Sequence, residues 1–252
     1  MEWYMCYQPI IDVVGCNVFG YEALVRSPSA DKPADLFKAA AKEKKAVDLD
    51  QAIILQAIQE GEELLLQGEL LFINVRAKTL LKGVHVAAAM ANRTILEMTE
   101  RMALTVSSRP TIEQLSGNGV RFAIDDYGRG YSNLDRFVQN WFCPTIIKLD
   151  KLFTQRMAAD KRAYAVVRQT VQFCVDAGLL LIVEGVETTK QRDMLLACGV
   201  RYMQGYFFGM PATKAHWQAA RWLKRNENDL QPSVEERAGG FFMSKKEVIL
   251  HE

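Results

Sequence analysis

The sequence predicts an α/β fold, a (β/α)8 barrel, and three observations carry that prediction. Short apolar runs with strand character alternate with longer amphipathic segments as far as residue 225. There are eight such runs. Polar residues recur at or near their C-terminal ends at intervals of about 30 residues, the length of one βα unit. Alternation of this kind argues for a sheet covered by helices, and eight strands are enough to close it into a barrel. An open doubly wound sheet is the other architecture this alternation allows.

The elements follow in order. Tyr4–Ile11 and Val18–Val25 are two apolar runs close together, both rich in aromatic and β-branched residues, and read as strands. Asp48–Gln67 repeats its apolar residues at helical spacing. Leu70–Val75, Thr94–Met98, Val120–Asp125 and Thr145–Leu149 are short apolar runs of strand length. Arg162–Ala177 is amphipathic, Leu179–Val183 is a further apolar run, and Thr189–Ala197 is amphipathic again. Val200–Gln204 is the eighth strand candidate and Thr213–Arg225 the last helix. Residues 1–225 therefore form the predicted domain. Residues 226–252 read as a polar connector, ending in Gly239-Gly240, and a short tail to which no function is assigned.

Composition excludes several classes of function. Lys plus Arg is 31 and Asp plus Glu is 30, a formal net charge of +1, so there is no electrostatic footprint for a nucleic acid polymer or an acidic membrane. No apolar run is long enough to cross a bilayer, and Met1-Glu2-Trp3-Tyr4 lacks the basic start of a secretory signal. The sequence carries no sensor segment before the predicted domain, so the chain is expected to be a stand-alone enzyme or a piece of a longer protein. The five cysteines are odd in number and no pair has CxxC spacing, which suggests reduced thiols in a cytoplasmic protein. The three histidines are scattered. Any metal is therefore expected to be a hard cation held by oxygen.

The strand ends carry the chemistry. Glu22 lies in the second strand, and Asn74, Glu97 and Asp125 stand at or near the ends of the next three, with Asp126 directly after. Lys148 is near the end of the sixth, Glu184 follows the seventh and Gln204 ends the eighth. In a barrel these ends converge on one rim, where barrel enzymes keep their active sites. Glu22, Glu97, Asp125, Asp126 and Glu184, with Glu187 close by, set five or six carboxylates against one lysine. Like charges so close together need cations or protons. Mg2+ or Mn2+ would meet that demand, with Asn74 as a neutral oxygen ligand, and the adjacent aspartates suggest a two-metal phosphoryl site. A solvated acidic rim with some protonated members is the competing reading.

The motifs also match a known pattern. Glu22-Ala23-Leu24 resembles the tripeptide that names the EAL domain family of bacterial cyclic di-GMP phosphodiesterases. Tyr7-Gln8-Pro9-Ile10, Phe72-Ile73-Asn74-Val75 and Leu96-Glu97-Met98-Thr99-Glu100 resemble its next segments. So do the stretch from Ile124-Asp125-Asp126-Tyr127-Gly128-Arg129 through Leu134, and Ile147-Lys148-Leu149-Asp150. Val183-Glu184-Gly185-Val186-Glu187-Thr188 and Gln204-Gly205-Tyr206-Phe207-Phe208-Gly209-Met210-Pro211 complete the series, in family order, over about residues 4–225.

The resemblance implies a TIM-barrel-like fold whose first strand is antiparallel to the others. It implies hydrolysis of cyclic di-GMP to linear pGpG with two divalent cations, Mg2+ or Mn2+. By the same resemblance Glu22, Asn74, Glu97 and Asp125 hold one metal, and Asp125 with Asp126 serves the second. Lys148 orients the water and Glu184 is the general base. Arg26 binds a substrate phosphate, with Leu24, Gln204 and Glu187 also lining the substrate site, and Glu100 anchors the loop that starts at Asp125. Some members of the family are slow or inactive and act as cyclic di-GMP receptors or protein-interaction modules, which is the alternative function. Dimers are common in the family, so a homodimer is among the implied partners.

The chain departs from the family pattern at three places. Arg129 stands where a small residue, often Thr, is usual. Arg76 replaces a common Ser, and Tyr127 replaces Phe. Arg129 is expected to turn its charged head toward solvent, and Gly128 and Gly130 to give its loop freedom.

Overall fold

The computed structural model of the protein describes residues 2–30, 32–100, 102, 106–129, 137, 142 and 144–226. Gly130–Leu134 of the glycine loop, and the connector and tail from residue 227 onward, lie outside the described residues.

Eight strands close into one barrel in sequence order. They are β1 (Tyr4–Asp12), β2 (Asn17–Arg26), β3 (Leu70–Asn74), β4 (Thr94–Thr99), β5 (Arg121–Tyr127), β6 (Ile146–Leu149), β7 (Leu180–Val183) and β8 (Tyr202–Gln204). β1 is antiparallel to both of its neighbours, β2 and β8, and every other pairing is parallel. All eight expected strands are present, with ends moved by about two residues at most, the usual scatter of element boundaries. The open-sheet alternative is excluded by closure.

Around the barrel run α1 (Pro33–Lys42), α2 (Ala46–Leu64), α3 (Ala77–Lys82), α4 (Ala88–Ala91) and α5 (Arg109–Gly117). They are followed by α6 (Lys151–Met157), α7 (Lys161–Asp176), α8 (Thr189–Ala197) and α9 (Lys214–Asn226). The expected helices correspond to α2, α7, α8 and α9. No individual expectation covers α1, α3, α4, α5 and α6. Two helix starts follow local chemistry: Asp150 accepts the Leu152 amide to begin α6, and Asp160 accepts that of Arg162 to begin α7. Thr188 and Gln191 form a reciprocal capping box at α8. No helix among the described residues is long and apolar enough to cross a membrane.

Side-chain alternation sets the layers. Ile10, Phe72, Ile95, Ala123, Ile146 and Ile182 face inward and fill the barrel with an apolar plug. Phe19 and Tyr202 pack together beside this plug, their ring centroids 4.1 Å apart and their planes tilted by 34°. Outward residues such as Leu71, Ile73, Leu96, Met98, Ile147 and Leu149 pack under the helices. One inward step beyond the plug, every strand presents a polar residue.

Two features frame that polar layer. The β1–β8 seam that closes the barrel has three residue pairs and is clasped by Arg201, whose guanidinium donates to Asp12 at 2.7 and 3.0 Å. On the other side of β1, β3 pairs only with Gly20–Ala23 of β2. Tyr4–Cys6 and Leu24–Arg26 therefore pair with each other past the barrel wall, as a two-stranded ribbon. The ribbon's outward residues Met5 and Val25 are buried with Leu36 and Phe37 of α1.

Candidate active site

The polar layer is built by parity. Gln8 and Glu22 are directly opposed on β1 and β2, and Asn74 and Glu97 on β3 and β4. Lys148 follows the inward Ile146 by two residues, Glu184 follows Ile182 by two, and Gln204 follows Tyr202 by two. Asp125 follows Ala123 in the same way, but its strand does something more. Register between β5 and β6 shifts between Ile124 and Tyr127, so Asp125 and Asp126 together stand opposite Lys148. This bulge re-aims the chain at the rim. Asp126 takes φ 55, a left-handed conformation that Asp tolerates better than most side chains. It lets two consecutive aspartates both reach the rim.

Lys148 is fully buried and its ammonium is the centre of the site. Nζ lies 2.7 Å from Glu97 Oε1, 2.8 Å from Glu184 Oε1, 3.1 Å from Glu22 Oε2 and 3.4 Å from Asp125 Oδ1. Asn74 Nδ2 donates to Glu22 Oε1 at 3.1 Å and to Glu97 Oε2 at 3.2 Å. Gln204 Nε2 donates to Glu22 Oε2 at 2.7 Å and to Gln8 Oε1 at 3.2 Å.

The titration behaviour follows from this packing. Burial disfavours the Lys148 charge, but Asp125, Glu184, Glu22 and Glu97 together hold its pKa well above the ordinary value. Burial also works against ionised Glu22, yet Lys148 and the hydrogen bonds from Gln204 and Asn74 keep its pKa below normal. The other carboxyls go the opposite way. Burial, then repulsion from Glu22 and Asp125, raises Glu97 well above its ordinary range. Burial raises Asp125, and Lys148 only partly offsets it. Glu184 is pushed to about 8 by burial and by Asp125 and Glu22, against the pull of Lys148. Asp126 is raised to about 6 by burial, by Asp125 and by a hydrogen bond with Asp150.

The donor set suits hard cations. Four carboxylates face one ammonium, and Glu97 Oε1 and Asp125 Oδ1 are buried without a hydrogen bond aligned on them. All are oxygen donors of the kind divalent ions of the Mg2+ or Mn2+ type prefer. As the side chains stand, the Lys148 ammonium holds the common centre, and no three acidic, imidazole or thiol groups among the described residues enclose a shared ion position.

The remaining expected residues take distinct places. Glu100 Oε2 accepts the Gly128 amide at 3.2 Å, so the loop after β5 is tied to the end of β4. Gly128 has φ 88, and a Cβ there would lie 2.6 Å from the Phe153 ring, so a larger residue would be strained and would push that ring aside. Gln204 is held in place by Gly205, whose missing side chain lets the Val186 backbone approach and donate to the Gln204 carbonyl at 3.1 Å. Leu24 and Arg26 lie half-buried on the ribbon, and Arg26 Nη1 donates to the Val25 carbonyl. Glu187 lies exposed at the start of α8, away from the Lys148 cluster in its contacts: its amide donates to Gln191 Oε1.

Both arginine departures have partners. The Arg129 side chain is 57% exposed, in line with an outward head, but its Nη1 still stands 3.5 Å from Asp126 and 3.7 Å from Asp150. Arg76 donates to the buried Asp50 at 2.5 Å and lies over the Phe37 ring. It thereby ties the segment after β3 to α1 and α2.

Two residues at the site received no role from sequence. Gln8 is buried and bonded to Gln204, and donates from Nε2 to the Gly209 carbonyl at 3.1 Å. Its signal was a lone amide inside an apolar strand. Asp150 caps α6 and faces Asp126 and Arg129. Its signal was its place two residues after Lys148.

Comparison with known proteins agrees with this arrangement. The family model described as EAL domain matches residues 1–211. Cyclic di-GMP phosphodiesterase PdeL of Escherichia coli K12 is 35% identical over 119 residues, 46% of this chain and 32% of that protein. Cyclic di-GMP phosphodiesterase RocR of Pseudomonas aeruginosa is 37% identical over 125 residues, 49% of this chain and 31% of that protein. The chain thus spans about a third of the length of these relatives. The solved complex of Klebsiella pneumoniae BlrP1 with manganese and cyclic di-GMP superposes with a TM-score of 0.75 at 27% identity, covering 85% of this chain and 57% of that one. A family match over most of the chain, on a barrel with its first strand reversed, leaves one assignment: the chain belongs to the EAL domain family.

Proposed function

We propose that the protein hydrolyses cyclic di-GMP to linear pGpG and so lowers the level of that second messenger. The observation that carries this reading is the ring of Glu22, Glu97, Asp125 and Glu184 about buried Lys148. The names of PdeL and RocR, and the ligands of the BlrP1 complex, supply the substrate. The domain is taken to run through residue 225, since α9 is fastened to the barrel by the Trp217 indole on the Tyr7 carbonyl and by Arg221 on Tyr21 and Glu69.

In this reading Glu22, Asn74, Glu97 and Asp125 hold one divalent cation, and Asp125 with Asp126 the second. Bound there, Mg2+ or Mn2+ neutralises phosphate oxygens and makes water more acidic. Glu184, whose Oε1 lies 2.8 Å from Lys148 Nζ, accepts the proton of the attacking water. Lys148, whose charge its neighbours secure, orients that water without taking its proton. Arg26 presents a planar fork to a phosphate, and Leu24, Gln204 and Glu187 complete the substrate site. Glu100 fixes the loop that carries Asp126. The same reading puts the protein in the cytoplasm, and it admits a homodimer, which light scattering would reveal. The direct test is chromatography of cyclic di-GMP incubated with the protein and Mg2+. Accumulation of pGpG is expected, and intact substrate would contradict the proposal.

A further inference from the structure

The β1–β2 ribbon that stands past the barrel wall has an inner face on which no function has been placed beyond Leu24 and Arg26. Directly opposed residues of an antiparallel pair share one face. The inward series therefore climbs from Ile10 and Gly20 at the plug to Gln8 and Glu22 in the polar layer, then to Cys6 and Leu24, and ends at Tyr4 and Arg26 on the lip. The ribbon's opposite face is the one buried against α1. Tyr4 thus tops the face above the Lys148 cluster. It is 45% exposed, in a strand whose other residues are all buried.

An aromatic ring beside a guanidinium, above a carboxylate site, is chemistry suited to a nucleotide. Purines stack on tyrosine with little regard to base identity, and the arginine fork takes the phosphate attached to the same nucleoside. We infer that Tyr4 is a stacking platform for one purine of the cyclic dinucleotide, held next to the phosphate that Arg26 binds. This rests on the cyclic di-GMP reading above and extends it to a base subsite. The ring supplies affinity and leaves bond cleavage to the carboxylate cluster.

The test is the KM and kcat of full-length wild type and Tyr4→Ala, Tyr4→Leu, Tyr4→Phe and Tyr4→Trp on cyclic di-GMP with Mg2+, with thermal melts beside them. Tyr4→Ala is expected to raise KM about tenfold, the order of one lost base stack, with kcat and melting temperature close to wild type. Tyr4→Phe and Tyr4→Trp keep a π face and should stay near wild-type KM. Tyr4→Leu keeps apolar area without that face and should resemble Tyr4→Ala. If Tyr4→Ala leaves KM unchanged in an active enzyme, or if Tyr4→Leu rescues as well as Tyr4→Phe, the stacking inference is overturned and the enzyme reading stands. If wild type neither binds nor cleaves cyclic di-GMP, both are overturned.

Discussion

Lys148 Nζ and Glu184 Oε1 stand 2.8 Å apart where two neighbouring strands reach the rim of the barrel. The contact joins a charge that its surroundings stabilise to a carboxyl that they destabilise. Burial and the nearby Asp125 and Glu22 raise Glu184 to about 8, while Lys148 limits the rise. Glu22, by contrast, is held below its ordinary pKa and is suited to staying charged.

Glu184→Gln and Glu22→Ala are therefore expected to fail in different ways. Loss of the base should cut turnover by about a hundredfold or more and leave nucleotide binding largely intact. Loss of Glu22 should weaken divalent metal binding as well as turnover. Calorimetry with metal and with cyclic di-GMP, beside rate measurements, separates the two. Near wild-type turnover in Glu184→Gln would remove the base assignment.

Arg26→Ala should mainly weaken substrate binding. A charge-assisted fork on a phosphate is worth about 1.5–3 kcal/mol, or roughly a ten- to hundredfold rise in KM. Arg26→Lys should restore only part of it, since an ammonium lacks the planar fork. Unchanged steady-state constants in Arg26→Ala would leave it with its contact to the Val25 carbonyl alone.

Arg129→Thr should change turnover by less than about tenfold, equivalent to about 1.4 kcal/mol of barrier. The guanidinium lies near Asp126 and Asp150 at long ion-pair distances and is largely exposed, so its hold on them is weak. Removing it should lower the Mg2+ concentration needed for half-maximal rate. Rate against Mg2+ concentration, measured for both proteins, checks this. A silent wild type beside an active Arg129→Thr would make the natural chain a receptor.

Asp12 gives one distinct contribution to the pH dependence of stability. Burial opposes its charge, but Arg201 and the amides of Gly15 and Val14 outweigh burial and lower its pKa. A lowered pKa means stabilisation that is complete above the unfolded value near 4 and lost as pH falls through the folded value. Asp12→Ala should cost about 1–3 kcal/mol near neutrality, since several hydrogen bonds to a charged group go with it. Urea unfolding of both proteins from pH 7 to pH 3 should show the gap constant down to about pH 5 and shrinking below pH 4. A gap that widens on acidification would contradict this origin.

The barrel was legible because its strands are short apolar runs, and each keeps its inward parity through the plug to a polar residue. Glu22, Asn74, Glu97, Asp125, Lys148, Glu184 and Gln204 all follow that one rule, so their convergence could be read from spacing. The bulge at Asp125 and Asp126 could not, because it is a register shift against β6 and depends on both strands. Gln8 was overlooked because its role needs the β1–β8 seam, which joins the two ends of the chain. Glu187 follows Glu184 closely in sequence, yet the turn into α8 leaves it exposed. The pairing of Arg76 with Asp50 and the approach of Arg129 to Asp150 depend on segments far apart in sequence, which no local pattern reveals.

The measurement that bears most directly on the whole account is the rate of pGpG formation from cyclic di-GMP by metal-stripped protein, before and after a divalent ion is returned. The carboxylate ring needs cations to receive a phosphodiester anion. EDTA-treated protein is predicted to be inactive, Mg2+ or Mn2+ to restore pGpG formation, and Ca2+, with its larger and looser coordination, to restore little. Full activity in protein verified to be free of metal would contradict the two-cation site, and no pGpG under any metal would contradict the phosphodiesterase itself.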